Sequence, residues 1–152
     1  MQFIHKIDLE FIGFVRRVSL PFSRAALFIV FFWFGFLKLL DTSPANPLVS
    51  ELLHKVLPVL SFENFIIGLG LLEMAIGVLF LMPGLERMAL PLLGLHMFTT
   101  FMPLVILPSI TWHAFLTPTL EGQYIIKNLV IIGLALCVAA GLQPLQKHTH
   151  DA

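Results

Sequence analysis

Hydrophobic positions fall into four long runs, separated by short polar breaks that carry most of the prolines. Ahead of them, Phe3, Ile4, Ile7, Phe11, Phe14, Val15 and Val18 recur at helical spacing. His5, Lys6, Asp8, Glu10, Arg16 and Arg17 take the other side. That alternation predicts an amphipathic helix over residues 1–21, suited to lying in a membrane interface. Its charged positions interrupt any leader-like apolar core, so it reads as a retained segment and not a cleaved signal peptide. Pro21 is placed to bend the chain into the first apolar run. Arg16, Arg17 and Arg24 would then sit among headgroups.

The runs are Phe22–Leu40, Phe62–Met82, Met88–Leu107 and Gln123–Leu142. Each is near the roughly 20 residues needed to cross a hydrocarbon core about 30 Å thick. The first break, Asp41–Ser61, contains two prolines early on and then a stretch, Leu48–Leu60, able to form a short surface helix. The second is a tight turn around Pro83-Gly84 and Glu86-Arg87. The third, Pro108–Leu120, reads as an interfacial loop or re-entrant stretch. No Asp, Glu, Lys or Arg occurs from Met88 to Leu120. The expected fold is therefore all-α: an integral membrane four-helix bundle over residues 22–142, with an interfacial helix before it and a polar tail, 143–152, after it. Small residues at Gly70 and Gly77, and at Gly133, Cys137 and Gly141, have the spacing of helix contacts.

Composition sharpens this reading. Hydrophobic residues make up 58% and charged residues 12%, against roughly a quarter charged in soluble domains. A chain this short cannot cover itself with polar surface from that supply, which excludes a soluble enzyme, a disordered chain and a nucleic-acid binder. Net charge is zero, but its distribution is not even. With both termini cytoplasmic, Lys6, Arg16, Arg17, Arg24, Arg87 and Lys147 outnumber Lys38, Lys55 and Lys127 on the far side, as the positive-inside rule requires. Cys137 is the single cysteine, which rules out an internal disulfide and a CxxC redox pair.

Ionisable groups inside the runs carry the candidate chemistry. A charge near the bilayer centre costs roughly 2.5–3.5 kcal/mol on insertion scales, so each needs a partner, water or a neutral form. At the helical rise, Glu73 and His96 both lie about 16 Å from the same boundary, near the midplane, whereas Lys38 and Lys127 lie about 3–6 Å below it. The expectation is a polar cluster in which Glu73 accepts from His96 or from a descending lysine. Thr99 and Thr100, with Pro103, extend the His96 stripe. The competing reading is polar glue between helices, with Lys38 and Lys127 snorkelling and the threonines bonded to their own backbone. A bis-histidine haem is not expected, because only His96 is deep. No metal site is expected, His148 and His150 in the tail being too few. No phosphate loop, dinucleotide fingerprint or Ser–His–acid arrangement occurs.

Trp33-Phe34-Gly35 followed by Lys38, Glu73 in a glycine-containing second run, and Gly122-Gln123-Tyr124-Ile125-Ile126-Lys127-Asn128 opening the fourth carry a family likeness. The chain resembles the DoxX-like superfamily of small bacterial inner-membrane proteins over about Asp8 to Leu142. Within it, the resemblance is to the branch that includes the reactive-chlorine-resistance inner-membrane protein. The resemblance implies a four-helix membrane fold, inner-membrane placement and a role in redox or oxidative-stress homeostasis. One relative is a membrane subunit of a thiosulfate–quinone oxidoreductase, so a quinone is the implied ligand. By position it implies Trp33, Gly35, Lys38, Glu73 and Lys127 as site residues. The related branch carries an acid after the fourth-run lysine. Asn128 stands there instead, which makes Glu73 the more attractive partner for Lys127.

Three functions follow as expectations. The first is a quinone- or lipid-associated membrane protein in redox homeostasis, with no reaction of its own that the residues specify. The second is an oligomeric transporter or channel for a small solute. The third is a non-catalytic subunit or assembly factor for a membrane redox partner. The bilayer is a partner in all three, a homo-oligomer is compatible with each, and nucleic acid is a partner in none.

Overall fold

A computed structural model of the chain describes residues 2–142; the tail expected at 143–152, with Lys147, His148 and His150, lies outside the described residues. The elements run α1 Gln2–Leu39, α2 Asn46–Val56, α3 Phe62–Leu81, α4 Glu86–Phe101, α5 Pro103–Ile106, α6 Pro108–Thr111, β1 Trp112–Ala114, β2 Thr117–Pro118 and α7 Leu120–Ala140. Four segments are long and apolar enough to cross a membrane: Ile4–Leu39, Phe62–Leu81, Glu86–Ile106 and Leu120–Ala140.

These four close a ring in which α1 packs on α3, α3 on α4, α4 on α7 and α7 back on α1. α1 and α3 run antiparallel, Gly35 meeting Gly70 while Phe28 and Phe32 meet Gly77, and a four-residue turn, 82–85, reverses the chain from α3 into α4. Its apolar centre is Leu27, Phe31, Ile76, Phe80, Leu93 and Met97, closed by Ala89, Ala135 and Val138.

The most intimate pair is α1 with α3, and glycines are the reason. A Cβ on Gly35 would lie 2.6 Å from the Gly70 carbonyl oxygen, and one on Gly70 would lie 2.8 Å from the Gly35 oxygen. A turn or two along, a Cβ on Gly77 would meet Phe32 N at 3.0 Å and Phe28 O at 3.1 Å. The helix backbones touch at these points, as small residues allow where lipid supplies no hydrophobic drive between helices. The seam of α3 is Ile66, Gly70, Glu73, Gly77 and Phe80, all buried, at the 4-3-4-3 spacing of one helix face. The other small-residue ladder is different. Gly133 has nothing within 4 Å of a would-be Cβ, and Cys137 is exposed, so that row faces away from the bundle.

α7 begins at Leu120, three residues before the expected Gln123, and α2 is Asn46–Val56 where Leu48–Leu60 was expected; three further differences bear on the packing. First, α1 is one helix of 38 residues with Pro21 inside it. Pro21 removes one backbone donor but does not end the helix. From Ile4 to Phe22 every side chain is exposed except half-buried Val18, so this arm projects past the bundle and packs on no other element. Second, α4 starts at Glu86, two residues before the expected start. Prolines then divide the chain into successive helical turns, because Pro103 and Pro108 each open a new short helix where a missing N–H costs nothing. Third, Trp112–Pro118 is a small antiparallel hairpin and not an irregular loop. Trp112 Nε1 donates to Leu104 O at 2.9 Å. Thr119 caps α7 by accepting from Gly122 N at 3.1 Å, while its hydroxyl donates to Ile110 O at 2.7 Å.

The Gly35–Gly70 crossing generates a prediction. Gly35→Ala places a methyl against the Gly70 carbonyl oxygen and the Met74 backbone, which cannot yield as the Met74 side chain can, so the expected loss is about 1–3 kcal/mol. Thermal unfolding of the purified protein in mild detergent measures it. Gly133→Ala, on the open row, serves as the neutral control.

Candidate functional site

Three ionisable side chains from three helices meet at one carboxylate. Lys38 stands in the last turn of α1, Glu73 at the middle of the α3 seam and His96 on the buried face of α4. Lys38 Nζ donates to Glu73 Oε2 at 2.6 Å. His96 Nε2 lies 3.3 Å from Glu73 Oε1. All three are buried, with residual exposures of 5% for Lys38, 5% for Glu73 and 8% for His96.

The local sequence explains why they meet. Helical Cβ atoms tilt toward the helix N-terminus, so a lysine at the end of α1 leans back into the bundle. Gly70 stands directly beside its stem: a Cβ there would be 3.2 Å from Lys38 Cβ. Glu73 follows Gly70 by three residues and so shares its face. Lys38 is thus level with Gly70, about 12 Å along α3 from Phe62 at the helical rise, and much deeper than the sequence reading placed it. The α3 helix overshoots the end of α1, and α2 lies across the difference, with Leu53 buried.

His96 is held from two sides. The Phe31 ring meets it edge-on, with centroids 5.6 Å apart and planes at 74°. Thr100 Oγ1 lies 3.4 Å from Nε2 and donates to the His96 carbonyl at 2.9 Å. The other ring nitrogen, Nδ1, is buried and has no hydrogen-bond partner. Leaving such a group unpaired costs about 1–3 kcal/mol. With the proton on Nε2, Nδ1 is a bare acceptor; in the imidazolium it is an unpaired donor.

The remaining expected residues do not join. Lys127 is exposed, with Nζ 5.1 Å above the Tyr124 ring, so Lys38 and not Lys127 is the partner of Glu73. The cation–π contact with Tyr124 gives Lys127 a place to rest outside the cluster. Trp33 is 62% exposed on the far side of α1. Thr99 is exposed, and its hydroxyl donates to the His96 carbonyl at 2.8 Å. Gly35 contributes through the helix crossing and touches none of the three side chains' charged ends. Among the described residues no group of three or more His, Cys, Asp or Glu side chains gathers as a metal site.

A second ion pair escaped the sequence reading. Arg24 reaches across to α4, its Nη2 donating to Glu86 Oε1. Glu86 is fully buried, and its other oxygen accepts from Gly84 N at 2.7 Å. The available signal was an acid at a helix start beside Pro83-Gly84, where Gly84 adopts φ +93°. In that geometry the carboxylate reaches back to the turn and outward to a neighbouring helix.

No known protein family, curated protein or solved structure matches the chain.

Burial sets the expected behaviour of the cluster. Glu73→Ala strands the Lys38 ammonium and is expected to cost about 3–5 kcal/mol, whereas the Lys38→Met/Glu73→Leu double replacement, which removes both charges, is expected to be neutral or stabilising. Unfolding of the two variants in the same detergent tests the contrast.

Proposed function

We propose that this chain is a multi-pass protein of the bacterial inner membrane, of the DoxX-like type, and that Lys38, Glu73 and His96 form its working centre. In this reading both termini are cytoplasmic, and the four long helices cross the bilayer. The centre binds a quinone-class ligand or a lipid of similar polarity and handles a proton there, in the service of redox or oxidative-stress homeostasis.

The observation that carries the reading is the unpaired imidazole nitrogen of the cluster. Lys38 and Glu73 alone would neutralise each other. His96 adds a third titratable group beside the same carboxylate and keeps Nδ1 unpaired at a depth where unpaired polar atoms are expensive. A carboxylate flanked by an ammonium and an imidazole passes a proton between its partners with little movement, and a ligand hydroxyl or carbonyl meeting Nδ1 would remove the cost. Intramembrane ionisable residues of this kind mark ligand and proton sites.

The double replacement Lys38→Met/Glu73→Leu separates function from glue, since it is expected to keep the fold. The wild-type protein, extracted in mild detergent, is expected to retain quinone in its lipid extract; the double variant is expected to lose it. Cells lacking the protein are expected to show a shifted quinone redox state under oxidant, restored by the wild type and not by the double variant. Wild-type protein free of quinone, together with an unshifted pool on deletion, would refute the reading.

A further inference from the structure

The Lys38–Glu73–His96 cluster is buried, and the bundle closes over it differently at its two ends. Toward the turn between α3 and α4 the filling is Phe31, Ile76, Phe80 and Leu93, all apolar and buried. Toward the other end the surroundings are partly polar. Thr100 lies one turn of α4 beyond His96 and is half-buried, and Ser43 is buried just past the end of α1. At that end α1 itself is missing. Asp41 adopts φ +54° and stops the helix, with Asp41 N and Thr42 N folding back on Lys38 O and Leu37 O. Gly70 is level with this last turn, against Lys38 and Leu39, so the two turns of α3 before Gly70 run on without α1. Ile66, on that stretch, is nonetheless only 4% exposed. The short helix packed there is α2, which lies on α3 and on α5 and so fills the gap that α1 leaves in the ring.

We infer that α2 is a hinged plug, and that its release lets water reach Lys38 and Glu73 from this end of the bundle. Its attachments are few. Leu53 is its single buried side chain, and no side chain caps its N-terminus. Lys55 Nζ donates to the Ile106 carbonyl at 3.4 Å, the long limit of a hydrogen bond. Both joints are loosely built. Residues 57–60, which follow α2, are all exposed, Val59 at 96%. Asn46, which opens α2, donates to Asp41 Oδ1 at 2.8 Å, while its own Oδ1 is buried without a partner. Water supplies the missing donor once α2 swings out, so opening removes that cost. A helix of 11 residues seated by one buried side chain belongs to the segments that open locally, well before the whole fold. The long helix α3, with six buried residues along its length, does not. The inference concerns the route to the cluster and does not depend on what Lys38, Glu73 and His96 bind.

Thiol accessibility in the purified protein tests it, in a Cys137→Ser background that removes the only native thiol. Ile66→Cys places a thiol beneath α2, two turns along the α3 seam from Glu73. A small charged methanethiosulfonate modifies only thiols that water reaches. Ile66→Cys is expected to be modified slowly, and Leu53→Ala is expected to speed that modification about tenfold or more. Lys55→Met, which removes only the bond to Ile106, is expected to speed it by less. Ala89→Cys, fully buried toward the opposite end of the bundle, is expected to stay unmodified in both backgrounds. If neither α2 variant changes the rate at Ile66→Cys, another element is the barrier and the proposal is wrong. Complete protection of Ile66→Cys in every background overturns it as well. Equal acceleration at Ala89→Cys overturns it as general loosening of the bundle.

Discussion

The carboxylate of Glu73 organises this molecule. In a chain with so few charges, a charged group at the centre of an apolar helix is tolerated only if neighbouring helices bring partners to it. That requirement fixes the rotation of α1, which must present Lys38, and of α4, which must present His96. It also explains the glycines. Lys38 reaches Glu73 because α1 and α3 meet backbone to backbone at Gly35 and Gly70. A side chain at position 70 would hold α1 off and stand where the lysine stem runs. Packing and electrostatics are here a single constraint expressed at two adjacent turns.

The second ion pair complements the first. Arg24 and Lys38 lie near opposite ends of the bundled part of α1, and each meets an acid on another helix: Glu86 at the start of α4 and Glu73 on α3. Between them α1 offers mainly apolar surface, whose contacts resist rotation and sliding weakly, since lipid and side chain are similar solvents for it. Two charge-assisted bonds about two turns either side of the middle of that bundled part pin its register where apolar packing alone would not. The cost of breaking either bond is the cost of a stranded charge, so the register is held far more firmly than the count of interactions suggests.

The four long helices were legible in the sequence because crossing length and hydropathy are one-dimensional properties. Glu73, His96 and Lys38 were legible for the same reason: a charge in an apolar run is conspicuous at any azimuth. What depends on azimuth or on axial offset was not. Lys127, like Lys38, stands near the end of an apolar run, yet it points outward to Tyr124, because the ring is one turn away on an exposed face. The depth of Lys38 was underestimated because α1 stops short of α3, an offset that a loop of twenty residues conceals. Glu86 looked like turn polarity; only the arrival of Arg24 from another helix makes it a buried partner. Pro21 looked like a break. Proline inside a long helix weakens it, but the many bonds on either side outweigh one missing donor.

Glue and function make different demands on a buried polar cluster. Glue is best when complete: every donor and acceptor paired, so that the network stabilises and specifies the fold without penalty. Both clusters fall short of that state at one nitrogen: Arg24 Nε, beside a Glu86 whose two oxygens both have donors, and His96 Nδ1 are each buried and unpaired. His96 is moreover dispensable for charge balance, since Lys38 already neutralises Glu73. An apolar residue at position 96 would fill the space against Phe31 at no electrostatic cost. A group whose presence adds a penalty that simple packing would avoid is better understood by what it can meet or pass on than by what it holds together.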